Sequence, residues 1–311
     1  MNCSLIGRLI KENRERLGIS QEDLCGDSCA VSTLSRLENG KHLPSRKQVE
    51  VFFSYLGMNP PLNIIPMTES DFQKFNIETE IINRIASRKY DYRELLDTYE
   101  KFETDFDKYE EQFFLFSEVI LNYETGKKSK NEAEESLKKL IYALKLTVPA
   151  YNPENDNSSR YYTKIELSII NSICLIEYQA GYADMAIVRM EKLINYYLNR
   201  RWIDEMEKGK MLSVLFFNLS NWKGQKGMHK EAVELSKKGI EMCHKYGQLD
   251  VLSFLIFNVG FGTVKLGEKE QGKKILGTAL SLMKILNKND ALFGIDYLKN
   301  ELDICFSIED L

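Results

Sequence analysis

Residues 20–40, SQEDLCGDSCAVSTLSRLENG, decide the fold of the first part of this chain. Four apolar residues, Leu24, Ala30, Leu34 and Leu37, are spaced so that two short helices pack across a tight turn. The second of these helices is apolar on one side only, because its other positions carry mainly hydroxyl and charged side chains. A helix that is supported on one side and polar on the other predicts a binding surface.

Helix start signals around this stretch predict a small domain of short helices. Ser20 and Ser45 are predicted N-caps, since Asp23 and Gln48 follow three residues later, in or close to the arrangement of a capping box. One helix before Ser20 and one after Ser45 have apolar residues at helical spacing, at positions 5, 6, 9, 10 and 49, 52, 53, 56.

The segment MNPPLNIIP, residues 58–66, separates this domain from the rest of the chain. It holds three of the six prolines, and a proline cannot continue a helix. The length of 311 residues also favours two domains over one. We therefore expect a head at residues 1–58, a linker at 59–70 and a helical domain at 71–311.

The composition of the chain favours helices and a reducing compartment. Long Leu-, Lys- and Glu-rich runs with few prolines favour helix over sheet, so the predicted fold class is all-α. No secretory signal opens the chain and no apolar run approaches the ~20 residues that span a bilayer, so we expect a cytoplasmic protein. Cys25 and Cys29 are interpreted as core thiols, because no second Cys or His pair follows at the spacing of metal ligands.

Internal repeats mark the helical domain. Three segments align on a glycine that is followed five residues later by a small residue; the pairs are Gly181/Ala186, Gly227/Ala232 and Gly267/Gly272. Helix–turn–helix units with a small residue at the crossing point resemble tetratricopeptide repeats. The resemblance implies a right-handed α-superhelix with a concave groove. An irregular all-α bundle with coincidental glycine spacing is the alternative.

Motifs for catalysis are missing from the sequence. The three histidines, His42, His229 and His244, belong to no HExxH motif, ligand pair or plausible triad, and neither GxxxxGK[ST] nor GxGxxG occurs. We therefore predict that the protein is not an enzyme and has no catalytic residues, metal or cofactor.

The polar side of the helix at residues 31–38 predicts contact with DNA. In a major groove an Arg reads guanine O6 and N7, hydroxyl groups reach bases or phosphates, and a Val packs against a thymine methyl group. We expect Ser32 and Arg36 to read bases. The predicted DNA-binding set further includes Gln21, Val31, Thr33, Ser35, Asn39 and Lys41, with phosphates held by Gln21, Ser35, Asn39 and Lys41. The alternative is a solvent-exposed polar helix in a small bundle.

The residues SQEDL and STLSRLENGKHLPS resemble the XRE/Cro-type helix-turn-helix over positions 5–57. The shared features are the SQ-x-x-L start, S-R-[IL]-E-N-G at the end of the recognition helix, and a proline shortly afterwards. The turn is one residue shorter than in the usual phage-repressor pattern, so recognition-helix positions are counted back from Glu38. The resemblance implies an ion pair between Arg14 and Glu38 inside the head.

A head of this type followed by tetratricopeptide-like repeats is similar to the Rgg and PlcR types of peptide-pheromone receptors, the RRNPP group of bacterial quorum sensing. This resemblance implies a cytoplasmic, homodimeric transcription regulator. Its partners would be double-stranded DNA with a two-fold symmetric operator and a short signalling peptide bound by the repeats. A function of another class stays open, in which the repeats are a scaffold for a partner protein and the head is vestigial.

Two asparagines are candidates for peptide recognition. Asn218 and Asn258 each lie nine residues before a repeat glycine, on first helices that would line the concave surface. A side-chain amide has one acceptor and two donors, so it can pair with a peptide unit whatever the peptide's side chains. We expect Phe217, Phe257 and Tyr178 to form side-chain pockets. The alternative is that each Asn caps or bridges neighbouring helices.

Overall fold

The computed structural model describes residues 3–42, 44–58, 69–152, 161–200, 203, 205–309 and 311. These residues form α-helices, turns and one short 3₁₀ turn, without a strand, which confirms the all-α prediction. Most of the predicted linker, residues 59–68, lies outside the described residues. No helix in the part of the chain that the structure describes is long and apolar enough to cross a membrane.

The head contains four helices: α1 (Cys3–Arg16), α2 (Gln21–Cys25), α3 (Val31–Glu38) and α4 (Arg46–Tyr55). Both predicted N-caps are confirmed, because the Ser20 hydroxyl accepts from Asp23 N at 3.0 Å and Ser45 forms a full capping box with Gln48. A core of its own holds the head together, formed by Ile6, Ile10, Ile19, Leu24, Cys25, Leu34, Leu37, Val49, Val51, Phe52, Phe53, Tyr55 and Leu56.

The remaining helices that the structure describes follow along the chain. They are α5 (Glu69–Ala86), α6 (Arg93–Glu100), α7 (Lys108–Thr125), α8 (Lys130–Thr147), α9 (Lys164–Gln179), α10 (Ala183–Asn199), α11 (Glu205–Gln225), α12 (His229–Tyr246), α13 (Leu252–Lys265), α14 (Lys269–Leu286) and α15 (Lys288–Leu302). The 3₁₀ turn, Glu103–Asp105, lies between α6 and α7. The chain divides into two compact units, residues 1–186 with 200–203 and residues 187–199 with 204–311.

The three repeat glycines lie in the turns between consecutive helices. Gly181, Gly227 and Gly267 have φ angles of +91°, +79° and +98°, a backbone conformation that L side chains rarely adopt. Of the small residues five positions later, Ala232 and Gly272 are buried within the helix pairs α11/α12 and α13/α14. At Gly272 an added Cβ would lie 2.8 Å from the carbonyl oxygen of Gly260, so α13 and α14 approach too closely for a side chain there. At Gly227 and Gly267 the glycine spacing therefore corresponds to packed helix hairpins.

The head is fixed to the first repeat helices inside the first unit. Lys47 Nζ on α4 lies 2.9 Å from Glu78 Oε1 on α5, and Arg46 Nη2 lies 3.3 Å from Glu78 Oε2. Burial alone would raise the pKa of Glu78, but the charges of Lys47 and Arg46 and a hydrogen bond from the Tyr99 hydroxyl lower it. Glu78 is therefore held ionised, and it binds two of the head's cations internally.

Candidate functional sites

Helix α3 is held against α1 by a close contact of the two backbones. Gly7 on α1 faces Leu37 on α3, and a Cβ at position 7 would overlap the carbonyl oxygen of Leu37. Leu34 and Leu37 are 0% and 1% exposed, so the apolar side of α3 is fully used in the head core. The opposite side of α3 is thus presented to solvent in a fixed orientation.

A buried ion pair ends α3. Arg14 Nε lies 2.6 Å from Glu38 Oε1 and Arg14 Nη2 lies 3.0 Å from Glu38 Oε2, so the guanidinium binds the carboxylate through two parallel hydrogen bonds. The hydrogen bond to Glu38 raises the pKa of Arg14. Arg14 also donates to the carbonyl oxygen of Ile19 at 2.9 Å. The pair implied by the resemblance is present, and it ties α1 to α3.

Three polar residues share the exposed face of α3 and its C-cap. Ser32, Arg36 and Asn39 are exposed at positions i, i+4 and i+7, so they follow one line along the helix. We call these three residues the α3 face. Lys41 is exposed two residues beyond Asn39. The amide of Asn39 donates to the carbonyl oxygen of Ser35 at 2.7 Å, which holds the end of this face in place.

The other predicted DNA-binding residues do not lie on the α3 face. Val31 is half-buried and packs against the head core, because it occupies the first turn of α3, and so it does not point outward as predicted. Thr33 and Ser35 are half-buried. Gln21 donates to Glu38 Oε2 at 2.7 Å, so one of its amide protons belongs to the Arg14–Glu38 pair and is not free for a phosphate.

A second site lies in the repeat domain, inside the second unit. Helices α11, α13 and α15 surround a cavity of about 660 Å³. Six aromatic rings line it: Phe217, Phe254, Phe257, Phe261, Phe293 and Tyr297. Three of these rings surround Tyr297. The ring centroid of Tyr297 lies 6.3, 5.7 and 6.4 Å from the centroids of Phe257, Phe261 and Phe293. We call this space the aromatic cavity.

Polar groups converge on the same cavity. Asn258, His229, Lys265, Asp290 and Glu301 are among its lining residues. Burial, helped by the charge of Lys265, lowers the pKa of His229, so this imidazole is neutral near pH 7. Its Nδ1 atom is buried and makes no hydrogen bond within the described structure. Apolar walls with a few convergent polar groups are typical of ligand sites.

Three of the five predicted peptide-binding residues line the aromatic cavity. These are Phe217, Phe257 and Asn258. Asn258 Nδ2 also donates to the hydroxyl of Ser220 on α11 at 3.1 Å, so the bridging role that we considered as the alternative is present as well. Asn218 is half-buried on α11 and is not among the lining residues; Tyr178 is half-buried on α9, in the first unit.

Sequence reasoning missed most of the aromatic wall. Phe254 and Phe261 flank Phe257 on α13 at helical spacing, a signal that was available in the sequence. Phe293 and Tyr297 lie on α15, which follows the last repeat glycine pair and carries no repeat signature of its own.

Comparison with known proteins first identifies the class of the head. Residues 5–62 match the helix-turn-helix domain family, which confirms the prediction made for positions 5–57. In the comparison with curated protein sequences, nothing matches the chain.

Solved structures then identify the fold of the whole chain. PlcR of Bacillus thuringiensis, in complex with the peptide PapR7 and DNA, has a TM-score of 0.56 at 18% identity, over 92% of this chain and 97% of PlcR. Apo PlcR from the same organism has a TM-score of 0.56 at 16% identity, over 96% and 98% of the two chains. Apo RapI has a TM-score of 0.50 at 11% identity, over 95% of this chain and 72% of RapI. The chain therefore has the fold of PlcR, a helix-turn-helix head followed by tetratricopeptide-like helix pairs.

Proposed function

We propose that this protein is a transcription regulator that binds double-stranded DNA through its head and senses a short signalling peptide in its repeat domain. The observation that supports the proposal best is the presence, in one chain, of the α3 face and the aromatic cavity. PlcR, whose fold the chain shares, has been crystallised with both a peptide and DNA. The proposal includes a cytoplasmic location and no cofactor.

The α3 face supplies the chemistry for reading a DNA sequence. Arg36 is the one residue of the face that can bind guanine O6 and N7 through two hydrogen bonds, and Ser32 lies one turn before it on the same side. Asn39 and Lys41 follow at the C-terminal end of the helix, where we place phosphate contacts.

The charge of the head supports binding as a homodimer on a two-fold operator. Residues 1–58 hold eight Lys or Arg against seven Asp or Glu. Arg14, Arg46 and Lys47 are already paired with carboxylates inside the protein. Because the positive and negative charges of the head nearly cancel and three of its cations are paired internally, one head has little electrostatic affinity for DNA, and a second head doubles the contacts.

Exposed apolar side chains at the C-terminal end of the chain support the same assembly. Ile285 and Leu286, at the end of α14, are 79% and 51% exposed. Large exposed aliphatic side chains next to each other are typical of surfaces that pack against another protein. We assign this surface to the homodimer contact.

The aromatic cavity supplies the chemistry for holding a peptide. Its rings can bury apolar side chains of the ligand, and the amide of Asn258 offers an acceptor and a second donor besides the one bound to Ser220. The volume of about 660 Å³ lies within the ~300–1,000 Å³ of ordinary ligand pockets.

Two selections with the full-length protein test the proposal. The first selects bound duplexes from a random DNA library, and we expect a two-fold symmetric sequence that the Arg36→Ala variant does not enrich. The second selects seven-residue peptides from a displayed random library, and we expect binders that Phe257→Ala loses. If the DNA selection enriches nothing while peptides or proteins still bind the repeats, the scaffold function is correct instead.

A further inference from the structure

Two cysteines of the head lie in contact at the start of helix α3. The Sγ atoms of Cys25 and Cys29 are 3.3 Å apart. Cys25 is the last residue of α2 and is 1% exposed, whereas Cys29 is half-buried. Cys29 immediately precedes Ala30, the N-cap of α3. Neither thiol has a role in the binding of DNA or peptide proposed above.

The surroundings make Cys29 the reactive thiol of the two. The side-chain hydrogen bond between Cys29 and Cys25 is the main cause that lowers the pKa of Cys29 to about 7, against the opposing effect of burial. A hydrogen bond from the backbone N–H of Leu34 and the positive charge of Lys108 act in the same direction. Lys108 is held nearby because its Nζ donates to the carbonyl oxygen of Asp27 at 2.8 Å. These contacts favour the thiolate of Cys29, which is the nucleophilic form.

Cys25 has the properties of a resolving thiol. Its hydrogen bond with Cys29 and its burial raise the pKa of Cys25, so it stays protonated. Its sulfur is already next to the sulfur that would be oxidised first. Redox-sensing cysteines typically pair an accessible thiolate with a neighbouring thiol of this kind.

We propose that Cys25 and Cys29 form an oxidation site that hydrogen peroxide and organic hydroperoxides convert into an intrachain disulfide. In the first step the Cys29 thiolate attacks the peroxide, an S–O bond forms, the O–O bond breaks, and the leaving oxygen is released as water or an alcohol after taking a proton. In the second step the sulfur of Cys25 attacks that of Cys29, the S–S bond forms and the S–O bond breaks. The proton of Cys25 leaves with the oxygen as water, so two thiols lose two electrons and the peroxide gains them.

Closure of this disulfide acts on the recognition helix. A disulfide bond is about 2.0 Å long, so the two sulfurs must approach by roughly 1.3 Å from their present distance. Cys25 is enclosed by the head core, whereas Cys29 is joined through one peptide bond to the N-cap of α3. We therefore expect the start of α3 to shift when the bond closes.

Mass spectrometry of the full-length protein tests the proposal. Reduced protein is treated with increasing hydrogen peroxide, its free thiols are alkylated, and it is digested with trypsin. Residues 17–36 form a single tryptic peptide that contains both cysteines. We expect this peptide to lose two hydrogens and to escape alkylation, at a peroxide concentration severalfold below the one that modifies Cys305, an exposed cysteine without such surroundings.

Two further comparisons make the test decisive. In the Cys25→Ala variant, Cys29 loses both its resolving thiol and the hydrogen bond that lowers its pKa. Cys29 should therefore react only at a higher peroxide concentration and then stop at the sulfenic acid, which a dimedone-type reagent traps, whereas Cys305→Ser should behave like the unmodified protein. Hydrogen exchange at residues 31–38 should differ at least twofold between the reduced and the disulfide form. Oxidation of Cys305 first, oxidation of Cys29 to sulfinic acid without a disulfide to Cys25, or equal exchange in α3 would overturn the proposal.

Discussion

Arg14 on α1 and Glu38 at the end of α3 form a buried, two-point ion pair, with Arg14 Nε 2.6 Å and Nη2 3.0 Å from the two carboxylate oxygens. Gln21 on α2 donates to the same carboxylate at 2.7 Å. One carboxylate thus connects the first three helices of the head, and it does so at the C-terminal end of the helix that carries Ser32 and Arg36. The orientation of the α3 face depends on this group.

We predict that Glu38→Ala destabilises the head strongly. It leaves Arg14 buried without its counter-ion, and removing one partner of a buried pair costs about 3 kcal/mol or more. The free energy of head opening can be measured in the full-length chain by native-state hydrogen exchange of the amides of α1 and α4. Glu12→Ala is the matched control, since Glu12 pairs with Arg8 on the exposed surface and such pairs contribute about 1 kcal/mol or less. Equal losses for the two variants would contradict the structural role of Glu38.

We predict that Gly7→Ala displaces α3. The added Cβ would overlap the carbonyl oxygen of Leu37, so α1 and α3 must separate, and overpacking of this kind costs about 1–3 kcal/mol. The melting temperature of the full-length variant and its affinity for DNA should both be lower than those of the unmodified protein. Gly224→Ala is the control for melting, because its Cβ would meet Ala232 at 3.7 Å, an ordinary contact, and alanine favours helix. A Gly7→Ala variant as stable and active as the unmodified protein would mean that the helices do not cross as described.

We predict that Arg36 and Lys41 contribute differently to DNA binding. On the duplex enriched by selection, Arg36→Ala should lose about 1–3 kcal/mol of binding free energy, and much less on random DNA. Arg36→Lys is the matched control, since it keeps the charge but not the planar group that donates two hydrogen bonds. This variant should bind random DNA as before but should no longer prefer the selected duplex. Lys41→Ala should weaken binding to the selected duplex and to random DNA about equally. Fluorescence anisotropy measures the affinity of each variant and of the unmodified protein for both duplexes, and equal losses on both duplexes for Arg36→Ala would show that Arg36 reads no base.

We predict that Asn258 acts on the peptide directly. Asn258→Ala should reduce the binding free energy of a selected peptide by about 1 kcal/mol, which is the usual contribution of a hydrogen bond. Calorimetry measures this change. Ser220→Ala separates this effect from the bridge to α11, because it removes the bridge and leaves the amide in the cavity. If Ser220→Ala and Asn258→Ala weaken binding equally, the amide serves the packing of the helices and not the ligand.

Most of the fold prediction rested on interactions between residues that are close together in the sequence. Ser20 and Ser45 cap helices through hydrogen bonds to residues three positions away, and Gly181, Gly227 and Gly267 adopt positive φ angles that glycine favours. Interactions of this range are determined by neighbouring residues and can be inferred from them.

The parts of the sites that depend on long-range packing could not be inferred. Gln21 is oriented by Glu38, seventeen positions away, and its amide therefore turns towards the ion pair. Phe293 and Tyr297 reach the aromatic cavity because α15 packs on the preceding hairpin, which no repeat pattern indicates. The pairing of Arg14 with Glu38 was foreseen only through the resemblance to a known domain type.

The affinity of the full-length protein for its selected duplex, measured with and without its selected peptide, shows whether the repeat domain controls DNA binding. When the affinities of two ligands both depend on the conformation of one protein, each ligand changes the affinity for the other by the same factor, typically about 5–150-fold. We predict a change of at least about fivefold in the DNA affinity, in either direction, and an equal change in the peptide affinity when DNA is added. A DNA affinity that saturating peptide leaves unchanged would contradict the account of this protein as a peptide-responsive regulator.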